Sequence, residues 1–578
     1  MRRLLLFSLL AAAAMAQPTD APLLELDELK PGMHGEVWTV FHGTEPEPFQ
    51  VEVTGVVRNA LGPGKSLILC QLTDERVQKM GAVAGMSGSP LYIDGKLAGA
   101  LSYQVQKFET VRYAGFTPIS DLLEVGKKSD TFAARQGPPS ANVTASVPAA
   151  DEGFRPLSPV FTFGGVAPRV VDWMRPQFAK LGLQISSLGG STTGSDATTS
   201  SPPLRAGDAV AVAVTSGDIT LAATGTVSYV AGDQVVAFGH PMLNLGDVSL
   251  PMARAEIVTI LPSNESSLKV ANTGDIIGTI DQDRLSAVAG RRGPGPEMIP
   301  IRITVDGSDG SERQLNFRAV RHPQLTPLAV GTGAAQAVLG SNEAGFSHGA
   351  RLTASYRFEG DDAVTTEVLF GGTQGVLQGL SGFANDVGAL LQNPYAEVFP
   401  AGIEVHVTPL AENPLTALEF IQLSRNAVTP GETLAVTVGW RDFQGNAGRE
   451  VVAIPVSPDW RGKQLDVVVT NGAALDALTG RRHVVSSTQL RSFPAFLEFV
   501  RAARSTEGMV VAVVENGRVF IDQATTSREL PDSITRIAQR SDQARYQVRP
   551  AANTLWEGRS LAGRLVPGLL RKSFRVDD

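Results

Sequence analysis

The chain has a single cysteine in 578 residues. One thiol cannot make an internal disulfide, so the fold must be held by its buried core. That cysteine, Cys70, stands in the apolar run "SLILCQL" and reads as a packing residue rather than a reactive thiol. Basic blocks are also missing: the net charge is −8, which argues against a nucleic-acid partner. No segment beyond the first residues is long and apolar enough to span a bilayer. There is no His-Glu-x-x-His helix, no Cys/His cluster with metal-ligand spacing and no phosphate-cradling loop, so neither a metal nor a cofactor is expected. Histidines number only 7, which narrows any search for a general base.

What is present begins with "MRRLLLFSLLAAAAMAQ". Arg2 and Arg3 precede an apolar stretch, and Ala14-Met15-Ala16 has the small-x-small pattern of a cleavage site before Gln17. Residues 1–16 are therefore expected to be a cleaved export signal, with the mature protein periplasmic, associated with the outer envelope or secreted. Gly (59) and Pro (36) are abundant, and short alternating segments recur, so the expected class is mainly β. The expected organisation is a β half over 17–130, a Pro/Ala/Ser-rich linker over 131–155 and a second β half over 156–345. A β-sandwich-like region over 346–475 and a mixed α/β tail over 476–578 complete it. In the first half, Asp94-Gly95 is the corner of a tight hairpin, and Ser120 is a candidate cap for a short helix in "TPISDLLEVGKK". In the tail, Asn516-Gly517 reads as the turn between two strands.

The stretch "GAVAGMSGSPLYIDGKLAGALSY" sets Ser87 between Met86 and Gly88, with Gly85 just before. Glycines there permit backbone angles that let N–H groups converge beside a hydroxyl, as an oxyanion hole requires. A plain Gly/Ser turn fits the letters equally well. A serine needs a base, and the base an orienting group. His240, in "GDQVVAFGHPMLNLG", follows a buried-looking strand and stands where loops build sites. Asp74 precedes Ser87 by 87 − 74 = 13 residues, but on the letters alone it is a solvated turn carboxylate.

These segments resemble the SpoIVB-type serine peptidases. "GMSGSPLYIDGKLAGALSY" is similar to that family's nucleophile segment, "GTVSYVAGDQVVAFGHPM" to its histidine segment, and "VANTGDIIGTIDQD" to the stretch that follows the histidine. The resemblance implies a chymotrypsin-like two-barrel fold, with Ser87 as nucleophile and His240 as general base. It makes Asp74 the candidate third member and Ser102 a supporting hydroxyl, with the N–H groups of Ser87 and Gly85 as oxyanion donors. It also implies a protein or peptide substrate, the chain itself among the candidates. In the family the histidine segment comes first; here the serine half leads, as after a circular permutation.

Two readings follow. One is an exported serine endopeptidase working through an acyl-enzyme. The other is a non-catalytic envelope or secreted binding or assembly protein that keeps the fold. A third pattern, "SSLK" from Ser266 to Lys269, has Ser-x-x-Lys spacing but lacks the companion Lys-Thr-Gly.

Overall fold

The structure is a computed structural model. It describes residues 17–18, 20–105, 111–133, 153–157, 159–192, 202–263, 267–307, 310–340, 346–360, 363–393, 398–481, 492–521, 526–527 and 547–578. The expected export signal, the middle of the expected linker and Ser266 of the Ser-x-x-Lys pattern lie outside the described residues. The chain is mainly β and divides into two compact units, Met1–Gly165 with Trp173–Glu297, and Val166–Asp172 with Met298–Asp578. Among the described residues no helix is long and apolar enough to cross a membrane.

The first unit opens with β1 (His34–Val40), β2 (Pro46–Gly62), β3 (Lys65–Leu72), β4 (Pro90–Ile93), β5 (Lys96–Val105) and β6 (Tyr113–Pro118). Their order is β4-β1-β2-β3-β6-β5, and β5 pairs back on β4, so these six antiparallel strands close into a barrel. Closure leaves no free edge except at the far end of β5, which runs past β4, and buries the alternate residues that point inward. Val37, Phe49, Val51, Val53, Ile68, Cys70 and Phe116 form the centre of that core. The β4–β5 corner is the hairpin read from the sequence. Asp94 (φ 49) and Gly95 (φ 76) both take left-handed angles, as a two-residue turn matched to strand twist requires. Helix α1 (Glu75–Met80) leads to the Ser87 loop, and α2 (Ile119–Ala133) follows β6. Ser120 lies inside the first turn of α2 rather than capping it, because the helix starts at Ile119. A further short strand, β7 (Phe154–Pro156), pairs antiparallel with the far end of β5.

The rest of this unit contains β8 (Val160–Gly164), β9 (Gln184–Ser186), β10 (Gly189–Ser191), β11 (Ala209–Gly217), β12 (Thr220–Ala231), β13 (Gln234–Ala237), β14 (Gly246–Leu261), β15 (Leu268–Arg284) and β16 (Ala287–Arg292). Here the order β11-β14-β15-β16-β13-β12 closes by β11–β12 pairing, so a second set of six antiparallel strands also forms a barrel. Trp38, Tyr92, Leu97, Ala100 and Leu122 of the first barrel and α2 share one apolar cluster with Val236, Ala287 and Ala289 of the second. Val40 shares another with Ala211, Ala253 and Ile257. The small residues in β11 and β14 let β1 pack closely on that sheet.

The second unit starts with a sheet ordered Val364–Gly371, Gly349–Arg357, Gly402–Pro409, Met298–Asp306, Glu312–Val320. Helices Leu325–Ala335 and Gly372–Leu391 touch where a Cβ on Gly331 would stand 2.9 Å from that of Ala384. A sandwich follows. A three-stranded sheet from Thr416–Leu423, Thr433–Asp442 and Ala447–Pro455 shares a core with a five-stranded sheet centred on Gln464–Thr470 and Glu507–Glu515. The strands flanking Asn516-Gly517 both form, but they are not a hairpin. Glu507–Glu515 is a central strand between Gln464–Thr470 and Asn553–Leu565, whereas Arg518–Ile521 pairs in another sheet. The buried run from Gly508 to Val514 explains this, since a strand covered on both faces must be paired on both edges.

Candidate active site

The Ser87 loop is shaped by its glycines. Gly85 (φ +100) and Gly88 (φ +96) take angles that side chains rarely adopt. Met86 N–H donates to Val83 O (2.9 Å), Ser89 N–H and Oγ–H both donate to Met86 O (3.0 and 2.6 Å), and Gly88 N–H donates to Leu101 O (2.7 Å). These bonds fold a compact turn onto β5. Among the described residues the N–H groups of Gly85 and Ser87 are not spent on any acceptor, which leaves them available to a developing oxyanion.

The loop is also meshed with the second barrel. Thr226 N–H donates to Ser87 O (2.8 Å), Thr226 Oγ–H donates to Gly85 O (3.0 Å), and Phe238 N–H donates to Thr226 O (3.2 Å). A Cβ on Gly88 would lie 2.0 Å from Thr226 O and 2.5 Å from Phe238 N, so only glycine allows this approach.

His240 is presented by a strained turn at the end of β13. Phe238 has φ 71, a conformation costly for a bulky residue, and Gly239 follows at φ 69. The Phe238 ring is fully buried and packs where Gly225 has no side chain. Thr117 Oγ–H donates to Gly239 O (2.6 Å), and Ser102 Oγ shares a hydrogen bond with Thr117 Oγ1 (2.8 Å). Ser102 thus supports the histidine turn through Thr117 and is not hydrogen-bonded to the imidazole.

The His240 and Ser87 side chains are both 0% exposed. His240 Nδ1 is bonded to Pro241 O (2.8 Å), and the Leu157 main chain also reaches the ring. Among the described residues, Nε2 of His240 and Oγ of Ser87 have no hydrogen-bond partner, so the two are not bonded to each other in this closed arrangement. Burial lowers the His240 pKa to about 4, against the pull of its backbone contacts, and keeps the ring neutral and able to accept a proton.

Asp74 does not orient this base. It caps α1, accepting from Arg76 N–H (2.8 Å), Nε (3.2 Å) and Nη2 (3.0 Å), and the Arg76 guanidinium holds its carboxyl below the usual range. Arg76 in turn stacks 4.4 Å over the Phe41 ring and bonds Pro48 O. A helix cap with an arginine two residues on is a self-contained use for a carboxylate.

Asp283, Thr226 and Lys269 complete the setting. Asp283, fully buried on β15, accepts from Met242 N–H (2.8 Å), Leu243 N–H (2.8 Å) and Leu245 N–H (3.2 Å), and so ties down the loop that follows His240. Burial pushes its carboxyl up while those N–H groups pull it back. Thr226 bridges the two barrels as described. Lys269, fully buried, lays its stem against Gly85, whose Cβ would meet it at 3.0–3.2 Å, and bonds only the Thr39 hydroxyl (2.8 Å). Asp283 stands in "GTIDQD", a stretch that resembles the family, but no motif marked it. Thr226 stands in "GTVSYV", which resembles the family, and Lys269 closes the Ser-x-x-Lys pattern, but neither pattern points to the role the structure gives the residue.

Two closed antiparallel barrels, with the Ser87 loop of one meshed against the histidine turn of the other, make a mainly-β fold that is consistent with a peptidase-like one. Residues 13–116 match the family described as SpoIVB peptidase S55. That stretch carries Asp74, Gly85, Ser87 and Ser102 and ends before His240. No curated protein and no solved structure matches the chain.

Proposed function

We propose that this protein is an exported serine endopeptidase with Ser87 as nucleophile and His240 as general base. The observation that carries this reading is the pair of buried reacting atoms, Ser87 Oγ and His240 Nε2, both left without partners on segments that touch through Gly88, Thr226 and Phe238. A buried polar atom without a partner costs about 1–3 kcal/mol, a cost that a plain turn would avoid.

Ser87 Oγ attacks the peptide carbonyl carbon as its proton passes to His240 Nε2. The oxyanion takes hydrogen bonds from the N–H groups of Ser87 and Gly85. The C–N bond breaks as His240 returns the proton to the leaving amine. Water then repeats the sequence on the ester, freeing the acid and Ser87. The imidazole is oriented by the Pro241 carbonyl at Nδ1 rather than by a carboxylate, so the machinery is a dyad. The order of the two halves is permuted relative to the family. This does not disturb the dyad, because the site lies where the barrels meet.

The non-catalytic alternative draws on one observation, the complete burial of both side chains. A fluorophosphonate probe separates the two readings. The expected result is covalent labelling of Ser87 in the wild-type protein, lost in Ser87→Ala and in His240→Ala, with both variants unfolding like wild type. A folded protein that stays unlabelled at every probe concentration removes the peptidase reading.

A further inference from the structure

The segment Phe154–Leu157 lies beside the site as an extended strand. Its residues Phe154, Arg155 and Pro156 pair antiparallel with Val105, Gln104 and Tyr103 on β5. One residue further, Leu157 N–H donates to Ser102 O at 2.9 Å, and the Leu157 main chain lies near enough to His240 to pull its pKa upward against burial, without a hydrogen bond to Nε2. Its side chain, 3% exposed, joins the apolar cluster that contains Val83 and Met86 of the nucleophile loop and Leu101 of β5. Phe154 has its own place, since a Cβ on Gly115 would lie 3.6 Å from the Phe154 ring.

This is the geometry of a peptide added to a sheet edge: main-chain bonds hold it, and the side chains of Phe154 and Leu157, three residues apart, pack on opposite faces of the strand. The edge is the strand that follows the nucleophile, and the peptide runs along it until a main-chain group meets the base. A substrate whose carbonyl is to be attacked must run the same course. We propose that Phe154–Leu157 occupies the place of the substrate's acyl-side strand. The site then takes extended peptides with leucine or a similar aliphatic residue at the attacked carbonyl, and it stays closed until this segment is displaced. The proposal rests on the peptidase reading, and it explains why the two reacting atoms are fully buried and unpaired. The pairing is only three residues long, so displacing it requires opening a short ladder rather than a barrel.

The experiment compares fluorophosphonate labelling of Ser87 in the full chain and in Leu157→Gly, which empties the apolar pocket and leaves the strand backbone in place. Labelling is expected to be about tenfold or more faster in the variant, as loss of an anchoring contact shifts the closed state toward the open one. Adding acetyl-Phe-Arg-Pro-Leu should slow labelling of the variant, and acetyl-Phe-Arg-Pro-Glu should not. Should Leu157→Gly unfold, the same two peptides are tested on wild type, where only the leucine peptide should slow labelling. Equal rates in the folded variant and wild type, or equal protection by the two peptides, overturn the proposal and leave the peptidase reading standing. Absence of labelling in every folded protein overturns both.

Discussion

Lys269 shows what a single side chain costs this site. It is fully buried, its one hydrogen bond goes to a neutral hydroxyl, and desolvation lowers its pKa to about 7. Among the described residues no carboxylate offsets this, which distinguishes it from the paired lysines on the surface such as Lys79 with Glu75. The unfolded chain binds a proton at this lysine up to about pH 10.4, whereas the folded chain releases it near neutrality. Between those values the unfolded state holds more protons, so stability rises with pH across the window and reaches its full value only above it. Lys269→Met keeps the length of the stem that packs on Gly85 and removes the amine. The variant is expected to be more stable at pH 7.5, on the order of 1–3 kcal/mol, and to lose most of the upward slope toward pH 10. Urea unfolding at several pH values reads both. A variant less stable than wild type would mean that the ammonium has a favourable partner in the native site.

At the level of elements, the histidine turn hangs between two supports. On one side Thr117 holds the Gly239 carbonyl; on the other Asp283 gathers the N–H groups of Met242, Leu243 and Leu245. A carboxylate suits the second task because it only accepts, and it faces three donors at once. Asp283→Asn has almost the same volume but turns an NH2 toward those donors. The loop should then loosen, with stability lower by roughly 2 kcal/mol and slower Ser87 labelling in the folded variant. Asp74→Asn is the matched control. It keeps a capping oxygen for α1 and removes only the charge that faces the part-exposed Arg76, so it should cost under about 1 kcal/mol and leave labelling near the wild-type rate. If Asp74→Asn suppresses labelling and Asp283→Asn does not, the roles given to the two carboxylates are reversed.

For the molecule as a whole, much was legible where local chemistry decides the outcome. The Asp94-Gly95 corner, the alternation in β2 and β3 and the glycines around Ser87 each dictate their own backbone, and each was read correctly. What a single sequence hides is the choice of partner. Asp74 was a candidate third member only through the family resemblance, and Arg76, two residues away, claims its carboxylate. Asn516-Gly517 has hairpin letters, yet the strand before it is buried on both faces and pairs elsewhere. Phe154 and Arg155 were counted as linker, and Pro156 and Leu157 as the start of the second half, because nothing local shows that an edge of β5 is waiting for them. The same long-range choices join the barrels, through the cluster that holds Trp38, Ile119 and Val236 and the one that holds Val40 and Ile257. Two barrels sharing that much apolar surface should unfold as one cooperative unit. Cys70 reports on the first: it is fully buried in β3, and burial pushes its thiol pKa up, so a thiol reagent reaches it only when that barrel opens. A Cys70→Ala/Ala289→Cys variant moves the reporter to the second barrel. The two thiols are expected to become reactive at the same urea concentration once each is referred to its own protein's stability. Clearly separate midpoints would show that the barrels open independently, and a site built from both would then be lost at the weaker of the two.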